Sequence, residues 1–328
     1  MSSPAVDGRR RDGQITSMVS AFQNDDVAPA VAMMRGIDPA RAGQWSEAFF
    51  RWKHVDNPFG ASIGLVERDD VGALIALRML QRWELERDGF TVQAVRAVDT
   101  ATAPPAQGKG LFRKLTLQAV DVAVGDDIDL VFNTPNEKSG AGYLKMGWHE
   151  VGRPGVFLRA TRPPLWGRLT GDDVDPEHLA AVARREPVST ERLRTRRIAT
   201  YFRWRYVDVP GFEYRMYSAG LATVVFRRQR RRGVPELTIV ELLHPDTLRG
   251  ARDAAVLIRE LVNHGGAFVI SAVAPLWSTT AAALVGAGFV WTPLGPRLFV
   301  RPLAMRRIDP LPTSTSDWAL GIGDLEIF

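Results

Sequence analysis

The chain has 328 residues, 45% of them hydrophobic and 24% charged, which is long for one domain and enough to bury two cores. It has no cysteine, which excludes disulfides, thiolate zinc sites and a cysteine nucleophile, and its five histidines show no metal-ligand spacing, so no metal is expected. The net charge of +5 raises the question of anionic partners, but the arginine cluster from Arg227 to Arg232 carries no interleaved aromatics and argues against nucleic acid.

Residues 1–14 are polar and expected to be disordered. Met1-Ser-Ser-Pro leads into Arg9-Arg-Arg11 without a signal-peptide core, and no window is apolar enough to span a bilayer, so a cytoplasmic protein is expected. Ile15 to Phe22 reads as a strand, Asn24-Asp-Asp26 caps a helix over Val27 to Met34, and a second helix is expected over Ala40 to Lys53. Ala61 to Glu67 and Ala73 to Gln81 pair as a hairpin around Asp69-Asp70. Phe90 to Val98 follows as a strand rich in β-branched residues, which Pro104-Pro105 forbids to continue.

After that strand comes Gln107-Gly-Lys-Gly-Leu-Phe-Arg113, and then Leu111, Leu115, Leu117, Val120 and Val124 recur at helical spacing, so a helix starts near Gly108. Gly108 and Gly110 let a ligand approach the backbone, and the first-turn N–H groups with the helix dipole behind them form a nest for an anion, most simply a pyrophosphate. Gln107, Lys109 and Arg113 add donors. A turn that only lets the helix pack on the strand is the competing reading of the same two glycines. Leu130-Val-Phe132 is a further strand, Asn133-Thr-Pro-Asn136 a turn, and Ser139 to Met146 a short helix closed by Gly147.

The ordered pair Gln107-Gly-Lys-Gly110 and Tyr143-Leu-Lys-Met-Gly-Trp148 resembles the GNAT superfamily of acyl-coenzyme A-dependent N-acyltransferases. In that family the phosphate loop has the form Gln/Arg-x-x-Gly-x-Gly/Ala, and a late helix ends in Tyr-x-x-x-Gly-aromatic. The resemblance implies an acetyl-CoA or other acyl-CoA co-substrate. Its pantetheine arm would pair with backbone groups at Val98, Thr100 and Thr102, and its pyrophosphate would rest on Gln107, Gly108, Lys109, Gly110, Leu111, Phe112 and Arg113. It further implies Tyr143 as the acid that protonates sulfur and Asn136 as a partner of the pantetheine arm. Half-buried packing is the other reading of Tyr143, and Phe112 and Trp148 line the acyl pocket or sit in the core. Many members place a Glu before the loop, where this chain has Gln93 and Ala94. Asp99 is the nearest carboxylate, as base or as partner of the acceptor's ammonium, with His54, Glu84, Glu86 or a water chain as alternatives.

The segment Phe50-Arg-Trp-Lys-His-Val-Asp-Asn-Pro58 returns as Phe202-Arg-Trp-Arg-Tyr-Val-Asp-Val-Pro210, and the pattern behind it returns too. Met146-Gly-Trp148 matches Ala287-Gly-Phe289, and Val156-Phe-Leu-Arg159 matches Leu298-Phe-Val-Arg301. The expected fold class is therefore α/β (α+β): two tandem GNAT-like domains, each a mixed, mostly antiparallel twisted sheet flanked by helices. The division is 1–14 tail, 15–160 catalytic domain, 161–185 linker, 186–308 degenerate domain and 309–328 C-terminal tail. The second copy has His244-Pro-Asp-Thr-Leu-Arg-Gly-Ala251 in place of the glycine loop and Leu284 in place of Tyr143, so coenzyme binding and chemistry are expected in the first copy alone. Phe-x-Trp reads as a core anchor in both copies, Arg227 to Arg232 as a solvated or dimer-facing hairpin end, and the apolar stretch from Asp317 as a segment docked on the body.

Small amines are the implied acceptors, with amino sugars or sugar nucleotides of surface polysaccharide as the class the resemblance suggests, in a monomer or homodimer. A non-catalytic coenzyme-binding scaffold and a protein-lysine acetyltransferase stay open as alternatives.

Overall fold

The computed structural model describes residues 18–162, 169–185, 191–231, 233–304 and 308–325. The expected tail at 1–14, the first residues of the strand read from Ile15, and part of the 161–185 linker lie outside them.

The chain begins with β1 (Met18–Ala21), a 3-10 turn at Asn24–Asp26, and α1 (Val27–Ile37). The single helix expected over 40–53 is broken. Pro39–Gln44 makes only a 3-10 turn, and Ser46 restarts the chain as α2 (Glu47–His54) by accepting the Phe49 N–H at 3.1 Å. β2 (Ile63–Arg68) and β3 (Leu74–Arg87) form the expected hairpin, its turn held by Asp69, whose Oδ1 accepts from Val71 and Ala73. β4 (Phe90–Thr102) outruns its expected end at Val98 and stops before Pro104-Pro105. It is followed by α3 (Leu111–Gly125), β5 (Leu130–Asn133), α4 (Glu137–Lys145), β6 (His149–Gly152) and β7 (Val156–Ala160).

The second half runs through α5 (Pro176–Ala183), β8 (Arg194–Thr195), α6 (Ala199–Tyr206), β9 (Arg215–Ala219), β10 (Ala222–Arg231) and β11 (Val234–Leu243). It ends with α7 (Leu248–His264), β12 (Val269–Val273), α8 (Thr279–Gly286), β13 (Val290–Thr292) and β14 (Leu298–Pro302). The strands build two mixed sheets flanked by helices. One has the order β1-β2-β3-β4-β5-β14-β6, with β8 beside the far end of β3, and the other the order β13-β7-β12-β11-β10-β9. Among the described strands only β4 with β5 and β11 with β12 pair in parallel.

The two halves exchange a strand. β7 inserts between β12 and β13 of the second sheet, and β14 inserts between β5 and β6 of the first. These are the two segments that match each other in sequence, so divisions of the chain at 160 and 308 follow the sequence pattern and not the sheets.

The repeated Phe-x-Trp segments meet at the centre. The Trp52 and Trp204 rings stack with centroids 4.8 Å apart, and each indole donates to the other residue's carbonyl, at 2.6 and 2.7 Å. Phe50 and Phe202 are fully buried beside them, as core anchors should be. Trp318, Leu320, Ile322 and Leu325 are buried as well, and Trp318 packs on Phe132 at 5.7 Å, so the described part of the C-terminal segment docks on the body. At the arginine-rich hairpin end Arg228, Arg230 and Arg231 are exposed, and Arg227 at its base is buried. Arg227 lies over the Phe212 ring, and Arg228 donates to the carbonyls of Leu169 and Gly265.

Candidate active site

β4 and β5 pair only where Ala94–Arg96 face Leu130–Phe132, and then part. β5 turns toward β14, pairing Asn133 with Phe299, while β4 continues to Thr102 with no described strand along that edge. The diverging strands leave backbone N–H and C=O groups of β4 available to a ligand lying in the gap. A bulge sits at the divergence. Arg78 of β3 faces Thr100 and Met79 faces Val98, which leaves Asp99 as the extra residue, at φ +33°. Val98 and Ala101 consequently both sit in the core under α1 and α2, although they are three residues apart.

The glycine loop closes onto this strand end. Gln107 Nε2 donates to the Thr102 carbonyl at 3.0 Å, and Gly108 and Gly110 both adopt φ +76°, a conformation that favours glycine. A Cβ at either position would meet nothing within 4 Å, so both face open space. Gly110 is the N-cap of α3, and no side chain covers the first-turn N–H groups. A cleft of about 300 Å³ lies here, lined by Thr100, Thr102, Gln107, Gly108, Gly110, Leu111 and Phe112, with Ile37, Ala101 and Ala106 completing the wall. Lys109 and Arg113 are exposed on the same turn.

Tyr143, on α4, is buried against Phe112 (ring centroids 5.5 Å apart) and Trp148 (5.1 Å), and its hydroxyl makes no hydrogen bond to a described residue. Asn136 is exposed at the N-terminus of α4, and its Oδ1 caps the helix by accepting the Ser139 N–H at 2.9 Å.

Asp99 points to the opposite face, toward α2. Its Oδ2 lies 2.7 Å from His54 Nε2 and 2.8 Å from Lys53 Nζ, while His54 Nδ1 lies 2.9 Å from the Ser62 hydroxyl. Burial by itself would raise the Asp99 pKa. The Lys53 ammonium and the His54 bond outweigh it and hold the carboxyl well below its ordinary value. Glu84 and Glu86 are not part of the cleft. Glu84 faces Gln93, roughly 20 Å along β4 from Asp99, and the two carboxylates pair with Arg196 and Arg194 at 2.6 and 2.7 Å.

No family model and no curated protein matches the chain. Solved structures do. A probable N-acyltransferase from Enterococcus faecalis, a conserved protein of unknown function, aligns at TM-score 0.66 and 11% identity, over 89% of this chain and 74% of that one. A GCN5-related N-acetyltransferase from Anabaena variabilis aligns at TM-score 0.67 and 11% identity, over 88% and 73%. Saccharomyces cerevisiae N-myristoyltransferase with bound myristoyl-CoA aligns at TM-score 0.59 and 10% identity, over 92% and 83%. This is the GCN5-related N-acyltransferase fold.

Within the GCN5-related fold the two halves differ at the position that forms the cleft. In the second half the α7 N-terminus is closed, because the Thr247 hydroxyl accepts the Gly250 N–H at 3.0 Å and Gly250 lies against the Pro245 carbonyl. His244 is engaged by the Pro245 carbonyl and the Thr280 hydroxyl, and Leu284 replaces the phenol. A larger cavity of about 700 Å³ lies there, walled by Arg197, Glu241, His244, Trp277, Ser278 and Leu320. Sequence reasoning missed Lys53 and Arg78. Lys53 had a signal, since Lys53-His54 recurs as Arg205-Tyr206 at the end of the repeated helix, where Tyr206 donates to the Glu241 carboxylate at 2.8 Å. Arg78 had none, because an arginine in a hairpin strand reads as a solvated position.

Proposed function

We propose that the protein is an acyl-CoA-dependent N-acyltransferase that passes its acyl group directly to the amine of a small molecule. The observation that carries this reading is the open N-terminus of α3, with Gly108 and Gly110 facing open space in the cleft at the end of β4. We assign chemistry to the half spanning 15–160, with 161–185 as linker. The half at 186–308 and the tail at 309–328 are assigned to support and to the acceptor side.

The bound co-substrate supplies an activated thioester. Gly108, Gly110 and the first-turn N–H groups of α3 receive its pyrophosphate, with Lys109 and Arg113 adding charge at the rim. The free edge of β4 from Val98 to Thr102 pairs with the extended arm. Tyr143, whose hydroxyl has no competing partner among the described residues, gives its proton to the departing sulfur. Asp99 works from the other face. Its Oδ1 orients the acceptor amine, and because Lys53 and His54 hold it ionised it positions the nucleophile better than it stores a proton. The proton released by the amine leaves to bulk water, and Asp99 stays ionised throughout.

Two measurements test this reading. Free coenzyme A titrated calorimetrically should bind at one site per chain, and an acyl-CoA should release thiol faster when an amine is added. Amino sugars and sugar nucleotides are the acceptors to screen first. Absence of coenzyme binding would refute the reading, binding without amine-dependent thiol release would leave a scaffold, and two sites would refute the assignment of the second half.

A further inference from the structure

Arg78 is 1% exposed, and its Nε, Nη1 and Nη2 have no hydrogen-bond partner among the described residues. A guanidinium taken out of water is ordinarily paired, because its desolvation is otherwise uncompensated. Its near neighbours are two rings, with the guanidinium carbon 5.6 Å from the Tyr143 centroid and 5.9 Å from that of Phe112. The acid on the adjacent strand, Glu67, pairs with Lys114 through Oε1 at 2.7 Å.

The face on which Arg78 sits decides what it can meet. Along β3, Leu77 and Met79 pack in the core under α1 and α2, whereas Ala76 and Leu80 pack with Leu111, Leu115 and Tyr143 on the α3 side. Arg78 belongs to the second set, so it addresses the donor side of the sheet and not the Asp99 side. A pyrophosphate would be received at the exposed glycine loop, and the thioester arm offers only neutral carbonyls. The rigid fork of a guanidinium matches a carboxylate, which it can hold through two parallel N–H bonds.

We propose that Arg78 is the specificity determinant for the acyl group, and that the donor is a coenzyme A thioester of a short dicarboxylic acid, of which succinyl is the representative. The free carboxylate of the acyl chain supplies the partner that Arg78 lacks, next to the phenol assigned to the sulfur. The inference rests on the acyl-CoA reading above, and its test separates the two.

Wild type, Arg78→Leu and Arg78→Met are titrated with coenzyme A, acetyl-CoA and succinyl-CoA. Wild type should bind succinyl-CoA at least tenfold more tightly than acetyl-CoA, a factor equal to about 1.4 kcal/mol. Both variants should lose that preference, keep coenzyme A binding within twofold, and melt no lower than wild type, since a buried unpaired charge has been removed. Equal wild-type affinities for the two thioesters overturn the proposal. So does a variant that weakens all three ligands alike, which would assign the guanidinium to the pantetheine arm. Failure of coenzyme A itself to bind wild type defeats the acyl-CoA reading, and this inference with it.

Discussion

Gly110 separates two roles that a glycine can play, because its backbone is left-handed at φ +76° while the space beyond its Cα is empty for 4 Å. Gly110→Ala therefore meets no steric obstacle in the free protein and carries only the conformational penalty of a Cβ in that region, about 1–2 kcal/mol. In a chain of this size that lowers Tm by roughly 2–6 °C. Gly110→Trp carries the same backbone penalty and places an indole in a cleft of only about 300 Å³. The two variants should lose similar thermal stability and diverge in binding. Calorimetry with coenzyme A should show the Trp variant at least about 100-fold weaker than wild type, near 2.7 kcal/mol, with the Ala variant between them. A Trp variant that is folded, melts beside the Ala variant and binds coenzyme A as wild type does would rule out the glycine loop as the coenzyme site.

Three further outcomes are expected. Tyr143→Phe keeps the packing on Phe112 and Trp148, so coenzyme A affinity should stay within about twofold while kcat falls by about 100-fold or more; a parallel loss of binding would make Tyr143 a packing residue. Asp99→Asn should destabilise the protein at neutral pH through the lost pairing with Lys53 and His54. Because the folded pKa of Asp99 lies below its ordinary 3.8, the wild-type advantage is present above that value and declines as pH falls through the lowered one. Urea unfolding at pH 7 and pH 3 checks this, and an advantage of unchanged size at pH 3 would contradict the assigned pairing. Trp52→Phe and Trp204→Phe each remove one indole donor of a reciprocal pair and should each cost about 1–3 kcal/mol, with a double-mutant coupling of at least about 0.5 kcal/mol; strictly additive losses would show that the two bonds act independently.

Local chemistry made much of the fold legible. The Asp69 turn, Pro104-Pro105 after β4 and the glycine loop before α3 are signals carried by residues whose backbone preferences are strong on their own, whereas Asn24–Asp26 forms a 3-10 turn and gives α1 no side-chain cap. The glycine loop and the strand before it come together in one cleft, as their adjacency in the chain requires. Long-range facts were hidden. Nothing in Val156–Arg159 or Leu298–Arg301 tells which of two similar sheets each will join, since either edge accepts the same alternation of apolar residues. The Asp99 cluster was half visible: the carboxylate stood near the loop, but the bulge that turns it toward Lys53 and His54 depends on register with β3. Arg78 is recognisable only once α3 and α4 cover it.

The exchange of β7 and β14 ties the fate of the two halves together. A truncated gene ending near residue 160 would leave β5 and β6 without the strand that joins them, and β5 is one wall of the gap beside Asp99. A fragment starting after the linker would leave β12 and β13 equally unbridged. Neither fragment encodes a complete sheet, so each alone would expose unpaired strand edges of the kind that invite aggregation. The second half, whose α7 N-terminus is closed and which carries Leu284 where the first has Tyr143, is thus kept by architecture alone, because deleting it would dismantle the sheet its neighbour relies on.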